Sequence, residues 1–433
     1  MCRKLSTEAL RGCLSVAYEF DFPYTATMLE EVRACRVCGS DSLTGFFDLG
    51  EQPFANALLK DPNHPDPRYP LALVFCNECS LVQLSHRARE EELFSEYVWV
   101  TGTSKKIHEF ADIFCDRLVR RAGEPKDSYV LEIASNDGTL LKPFQKRGYS
   151  VLGIDPAENI AQMARESGVP TEALFWGKDT AQHIVQKRGL SKMLFARNVL
   201  PHVSDQRDFV EGLSTTLHPD GVLAVEVHYA GIILRELHYD SIYHEHHCYF
   251  SLKNLERLLN DFGMYAFDIE ESPVSGGSII VYAKKQQMQP SASLLALRAS
   301  EEESGVNSRG TWEKFAERAS AHKTALLSLF QELRSKGSVL GYGASARAST
   351  LLNFCGITRE TLPSIADKNP LKQGLYTAGT HIPIVPINDM LAQRPSSVFV
   401  LAWNFKDEII EELREMGFRG TFLIPFPDPP HIL

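Results

Sequence analysis

The stretch Tyr129-Val-Leu-Glu-Ile-Ala-Ser-Asn-Asp-Gly-Thr-Leu-Leu141 decides the fold. Its first five residues form a short apolar run; Ser135 to Gly138 are turn formers, and a helical stretch follows, so the order is strand, turn, helix. Val151 to Ile154 repeats the apolar run just before Asp155, and residues 191–197 and 221–227 repeat it again. Such alternation predicts an α/β fold with a parallel sheet, which binds ligands where its strands exit. Ala134, Ser135, Asn136 and Asp137 stand at that exit beside Glu132, and a carboxylate at Asp155 can accept both hydrogen bonds of a ribose diol. A turn with a helix cap and no ligand accounts for the same residues. A dinucleotide reading competes as well, but Glu132 and the sparse glycines lack the bare GxGxxG backbone that a pyrophosphate requires, so a cofactor without phosphate fits better.

Downstream, residues 252–262 read as a helix and Ser278 to Ala283 as a strand. The polar stretch QQMQPSAS and a long helical pattern through Trp312, Phe315, Leu326 and Leu333 then predict a linker helix. A second βα series begins at Ser338 to Gly341 and continues at Ser364 to Ala366, Ser397 to Leu401 and Thr421 to Ile424. In Gly341-Tyr-Gly343-Ala-Ser345-Ala-Arg347 the backbone N–H groups of a helix start could meet a diphosphate, with Arg347 supplying charge. Asp367 falls where a ribose acid is expected, and Lys372 and Gln373 suit nucleotide contacts. The alternative is a degenerate copy of the first unit that binds nothing.

Upstream, Cys35-x-x-Cys38 and Cys76-x-x-Cys79 offer four thiolates in two knuckles, the pattern of a closed tetrahedral zinc site. Four protein ligands leave no open position, which makes the zinc structural. The remaining five of the nine cysteines are scattered, which is no disulfide framework for 433 residues. Asp61-Pro-Asn-His-Pro-Asp-Pro67 and neighbouring turn formers describe a small loop-built module that needs such a staple. The expected organisation is an extension over 1–30, a zinc module over 31–100, a Rossmann-like α/β domain over 101–285, a linker helix over 286–335 and a C-terminal Rossmann-like domain over 336–433. A net charge of -10 disfavours nucleic acid as the main partner. No apolar run reaches the roughly 20 residues of a membrane helix, and the first residues lack the core of a signal peptide, so the expected compartment is the cytoplasm.

Residues 238–251, HYDSIYHEHHCYFS, gather Tyr243, His244, Glu245, His246, His247 and Tyr249 in seven positions, in a chain whose 14 histidines otherwise scatter. The helical HExxH spacing of a catalytic metal is absent. Removing a proton beside a ketone needs a base with pKa near the working pH, and an imidazole oriented by a carboxylate supplies one. A polar loop with surface histidines is the plain alternative. Asn198-Val-Leu-Pro-His202 follows the third predicted strand on the same edge.

These segments, in this order, resemble the S-adenosylmethionine-dependent sugar C-methyltransferases that act on nucleotide-linked 4-keto-deoxysugars. The resemblance runs over about residues 33–433 through CRVCGS, LGEQPFANALL, CNEC, EYVWVTGTS, LEIASNDGTLL, NVLPHV, YHEHHCYFSL, the Gly276–Ser278 loop, GYGASARAST and DKNPLKQGLYTAGTHIPI. It implies S-adenosylmethionine held by Glu132, Ala134, Ser135, Asn136, Asp137, Asp155 and Asn198, and structural zinc. It places Tyr97, His202, Tyr243, Glu245 and His246 around the sugar: His246 as general base, Glu245 positioning or assisting it, the two tyrosines bonding the sugar or enolate oxygen, and His202 near the acceptor carbon. Gly343, Ser345, Arg347, Asp367, Lys372 and Ser275 would hold the rest of the substrate. The implied substrate is a dTDP- or GDP-linked 4-keto-6-deoxysugar methylated at C3, and relatives suggest a monomer. Two positions depart from the pattern: Ser275 stands where His is common and Ile280 where Arg is common, and both are expected on the substrate side. An NAD(P)-dependent oxidoreductase or epimerase, or a zinc scaffold without catalysis, are the other readings.

Overall fold

The computed structural model describes residues 29–64, 66–88, 100–103, 105–123, 128–272 and 276–433. Tyr97, Ser275 and most of the expected extension lie outside the described residues.

The cysteine-bearing module is more regular than its turn-rich sequence predicts. A short ribbon pairs β1 (Leu29–Glu31) with the later β5 (His86–Ala88). Between them β2 (Leu43–Gln52), β3 (Tyr69–Cys76) and β4 (Val82–Leu84) form an antiparallel sheet. Phe47 and Leu49 are buried while the intervening Asp48 is exposed, the alternation of a strand with one wet face.

The predicted parallel sheet is present. β6 (Tyr129–Ile133), buried throughout, lies between β7 (Ser150–Ile154) and β9 (Ser191–Arg197). A two-residue strand, β8 (Thr171–Glu172), extends one side, and β10 (Leu217–His228) the other. Further along are β11 (Cys248–Tyr249), β12 (Tyr265–Ser272) and β13 (Ser278–Lys284). The seven-stranded order is β12-β13-β10-β9-β6-β7-β8, with β13 antiparallel to both its neighbours. Strand order reverses at β6 and β9, so a crevice opens beyond their carboxyl ends. β11 does not join this sheet: it pairs with β4, so the segment rich in Tyr, His and Glu completes the sheet of the cysteine module.

The linker prediction is corrected in form. Two helices, Ala292–Ser304 and Arg309–Lys336, replace one, and Gly305 in the left-handed region ends the first. Trp312 and Phe315 are buried against Phe46 and Phe47 of β2, and Leu326, Phe330 and Leu333 join the same apolar cluster as the third sheet. The long helix is therefore a packed wedge. That third sheet runs β16-β15-β14-β17-β18-β19, from β14 (Val339–Tyr342), β15 (Ile365–Ala366), β16 (Ile384–Val385), β17 (Ser397–Val400), β18 (Thr421–Ile424) and β19 (His431–Ile432). Only β19 is antiparallel. No described helix is long and apolar enough to cross a membrane.

Candidate functional site

At the exit of β6 the chain makes a tight turn in which Ala134 (φ 56°) and Asn136 (φ 50°) both adopt the left-handed region, as does Asn198 (φ 50°) at the exit of β9. Such a conformation is costly for a residue with a Cβ and gathers at ligand sites. The turn can sit this close to β7 because position 153 is glycine: a Cβ there would stand 2.3 Å from Ser135 Oγ. Asp155 closes the turn, its Oδ2 accepting from Asn136 N at 2.8 Å and its Oδ1 from Ala157 N at 3.0 Å. Asn136 and Asp137 face the chain just before the first described helix, accepting from Thr101 N (2.9 Å) and Gly102 N (3.1 Å). Glu132 is buried, and burial pushes its carboxyl well above the usual range, partly countered by Arg197. Its Oε2 and Ser135 Oγ have no hydrogen-bond partner among the described residues. Asn198 donates to Glu226 Oε1 at 3.2 Å, tying the β9 turn to β10. A crevice with a buried carboxyl oxygen and a buried hydroxyl that lack partners among the described residues fits a cofactor that carries positive charge.

The second part of the site is built on the YHEHH segment. His246 Nδ1 donates to the Ser241 carbonyl at 2.7 Å, which fixes the tautomer and leaves Nε2 as acceptor, 2.8 Å from the Tyr243 hydroxyl. The two rings lie 4.0 Å apart, and His202 packs edge-on against His246 at 4.7 Å. His202 Nδ1 in turn donates to the Glu245 carbonyl at 2.8 Å. Burial, followed by the neighbouring His202, pushes His246 well below the ordinary imidazole range, and burial takes His202 down to about 4. Both rings are therefore neutral at pH 7. The expectation that a carboxylate orients the base is corrected: a backbone carbonyl does so, and Glu245 Oε1 accepts instead from Asn56 Nδ2 at 3.1 Å. His244 and His247 are spent on the carbonyls of Pro70 (3.3 Å) and Val203 (3.0 Å).

At the third sheet Gly343 (φ 97°) turns where a Cβ would stand 2.4 Å from Ala402 Cβ, and Ser345 caps the helix Ala346–Cys355 by accepting from Ala348 N. Asp367 accepts from Ala344 N and Asn369 N, both at 2.8 Å. Lys372 Nζ donates to the Ala344 carbonyl at 2.8 Å and Gln373 to the Asp367 carbonyl at 2.9 Å, so both brace the turn. Arg347 leaves the turn toward the central sheet: its guanidinium lies 5.3 Å over Trp403 and donates to His228 Nε2 at 3.4 Å, at the end of β10. Asp240 accepts from Trp403 Nε1 at 2.7 Å. Ile280, expected on the substrate side, is fully buried in the apolar cluster of Phe110, Phe114 and Tyr282.

The four thiols come together. Cys35, Cys38, Cys76 and Cys79 have all Sγ atoms within 4.8 Å of one another, with Cys35–Cys79 at 3.4 Å and Cys38–Cys76 at 3.6 Å. A zinc–sulfur bond of about 2.3 Å implies tetrahedral edges of about 3.8 Å, so the set fits zinc with little adjustment. Of the residues the sequence points to, the structure gathers His202, Tyr243, Glu245 and His246 in one place, Glu132 to Asp137 with Asp155 and Asn198 in a second, and Arg347, Asp367 and Lys372 in a third. Asn56, Ser241, His228 and Trp403 were missed. Ser241 acts through its carbonyl, which leaves no trace in a sequence, and the others meet partners far along the chain.

Comparison with known proteins follows this division. Family models match residues 35–94 as a zinc binding domain, 107–267 as a methyltransferase domain and 273–427 as a C-methyltransferase C-terminal domain. The C-methyltransferase NovU of Streptomyces niveus is 31% identical over 410 residues, which covers 93% of this chain and 97% of that one. A ubiquinone biosynthesis O-methyltransferase of Rhizobium rhizogenes is 26% identical over 34% of this chain and 64% of its own length. Among solved structures, magnesium protoporphyrin IX methyltransferase of Synechocystis PCC 6803 with bound SAH matches at 16% identity and TM-score 0.33, covering 41% of this chain and 81% of that one. The present chain takes S-adenosylmethionine and zinc as cofactors and belongs to the S-adenosylmethionine-dependent C-methyltransferase family.

Proposed function

We propose that the methyl acceptor is a ring carbon beside the ketone of a nucleotide-linked 4-keto-6-deoxysugar, at C3, with dTDP or GDP as carrier. The observation that carries this reading is the neutral His246 imidazole, anchored through Nδ1 and presenting Nε2 beside the Tyr243 hydroxyl. Carbon methylation next to a carbonyl needs such a base, because the C–H must be broken before carbon becomes nucleophilic.

In the proposed reaction the acceptor carbon's proton moves to His246 Nε2, and its electron pair becomes an enolate. Glu245 assists this base, and Tyr243 lies on the same segment to hold the enolate oxygen, where a preorganised donor lowers the barrier most. Tyr97, outside the described residues, is proposed for the same group. Bound S-adenosylmethionine supplies the electrophilic methyl. Glu132, the Ala134–Asp137 turn, Asp155 and Asn198 would orient it, and buried Glu132 favours a positive ligand. Reacting atoms held within about 3.5 Å make the transfer effectively unimolecular. Arg347, stacked on Trp403 between the two sheets, is proposed for the diphosphate, with Gly343, Ser345, Asp367 and Lys372 keeping its turn in shape; Ser275, outside the described residues, is proposed for the substrate side. The proposed domain division is that stated from the sequence, with the zinc module as mounting for the catalytic segment.

Methyl-labelled S-adenosylmethionine incubated with a panel of dTDP- and GDP-linked 4-keto and 4-hydroxy sugars tests the reading. Label should enter only keto sugars, and in deuterated water without cofactor the acceptor carbon should exchange its hydrogen. Label transfer to oxygen, or to 4-hydroxy sugars, would overturn it.

A further inference from the structure

Glu245 lies at the centre of the catalytic segment and is 4% exposed. Of its two carboxylate oxygens only Oε1 has a hydrogen-bond partner, Asn56 Nδ2, and Oε2 has none among the described residues. Asn56 comes from the cysteine module, 189 positions earlier, and is itself exposed. Its loop is seated from two sides. Phe54 stacks on Tyr69 at 4.8 Å and meets His244 edge-on at 5.2 Å, which sets the loop against the catalytic segment. Leu59 exchanges backbone hydrogen bonds with Tyr376 of the third sheet's domain at 2.9 and 2.8 Å, and a Cβ on Gly379 would stand 2.9 Å from Pro53.

We propose that Asn56 is a positioning residue that aims the Glu245 carboxyl and sets its protonation, so that the zinc module and the C-terminal domain both act on the reacting centre through one side-chain amide. The proposal rests on the reading above for Glu245's role. The physical reason is the choice of donor. An arginine or lysine at this place would neutralise the carboxylate; a neutral amide holds its direction and leaves its charge uncompensated. Burial pushes the Glu245 carboxyl up, and its own backbone N–H and Asn56 pull it back. The titratable groups near it are Tyr249, whose hydroxyl burial and, more weakly, the Glu245 charge push up, and the rings of His244 and His246 on its own segment and of its partner His202, which burial pushes down.

The test is a double-mutant cycle on the full-length zinc-loaded protein with Asn56→Ala, Glu245→Gln and both together, plus Asn56→Asp. Asn56→Ala should lower kcat/KM about ten- to a hundredfold, the range for losing a hydrogen bond to a charged group. In the double variant no further loss beyond Glu245→Gln is expected. Asn56→Asp, which sets two carboxyls side by side, should move the limb of the pH profile that reports Glu245 to higher pH. Losses that multiply, or an unmoved profile with lowered zinc content, would overturn the proposal. The carboxyl stretch in infrared difference spectra needs no substrate: Glu245 should titrate at higher pH in Asn56→Ala than in the parent protein. If no keto sugar is turned over but that titration moves, the substrate reading falls and the Asn56 role stands; if sugars are methylated and the titration is unchanged, the reverse holds.

Discussion

The central and C-terminal sheets use the same clamp with different side chains around it. In each, an aspartate just past the second strand accepts from the turn after the first strand and from the residue two positions on: Asp155 from Asn136 and Ala157, Asp367 from Ala344 and Asn369. The side chains around the clamps differ. The first turn gathers Glu132, Asp137 and Asp155, with Arg197 partly countering the Glu132 shift; the second is braced by Lys372 and sends out Arg347. One backbone device thus carries different side chains at the two sheets, which is why the fold alone does not determine the ligand. The catalytic segment belongs to neither: it lies between them, hydrogen-bonded to the cysteine module.

The largest expected effect tests that third position. Replacing Cys79 by Ser removes one of four ligands from a site whose metal is worth about 10–16 kcal/mol of folding free energy in small zinc domains. Zinc content should fall from one per chain, and hydrogen exchange should rise together in β4 and β11; unchanged protection of β11 would break the claim that the module carries the segment. Next in size, His246→Ala should lose about a hundred- to ten-thousandfold in kcat, the usual contribution of a general base. Calorimetry should find its S-adenosylmethionine affinity intact, and persistent hydrogen exchange at the acceptor carbon would transfer the role elsewhere.

The comparison itself is sharpened by a reciprocal pair. Asp155→Ala should weaken S-adenosylmethionine binding about ten- to a hundredfold and leave nucleotide binding alone, while Arg347→Ala should raise KM for the nucleotide sugar by a similar factor and spare the cofactor. Equal losses of both ligands in both variants would show that the sheets do not divide the work. The smallest effect concerns pH. Burial holds His202 and His244 down to about 4, His247 to about 3 and His238 to about 2, with His228 and His246 also well below the ordinary value. The unfolded chain takes up protons near pH 6.5 that the folded chain refuses, so their stability is present above that pH and is lost as pH falls toward 4. Each uncompensated histidine contributes a slope of up to about 1.4 kcal/mol per pH unit. Glu132, Asp155, Asp240 and Glu245, raised by burial, oppose this but are fewer. Thermal melts should therefore show Tm falling below pH 6.5; a flat or rising Tm would mean that the rings are charged in the folded protein.

Much of the frame was legible beforehand. The strands from Tyr129, Ser191, Ser278 and Thr421 stand where apolar runs between turn formers put them, because a strand buried on both faces needs a local run of that kind. The four metal-site cysteines were legible because CxxC is a local geometry. Shorter or half-wet strands escaped: β8 has two residues, and β2 sits in a segment whose glycine, proline and charges look like loop.

What the sequence determined by itself is therefore the order of strand, turn and helix, the two knuckles and the dense YHEHH cluster, all properties of neighbours along the chain. Only the tertiary structure decided that His246 pairs with Tyr243 while His244 and His247 are spent on carbonyls, that Glu245 answers to Asn56, that Ile280 is core, and that Arg347 lies against His228. The reason is physical: an irregular segment has no period to set the direction of its side chains, and their partners come from other elements, through contacts that exist only once the sheets have packed.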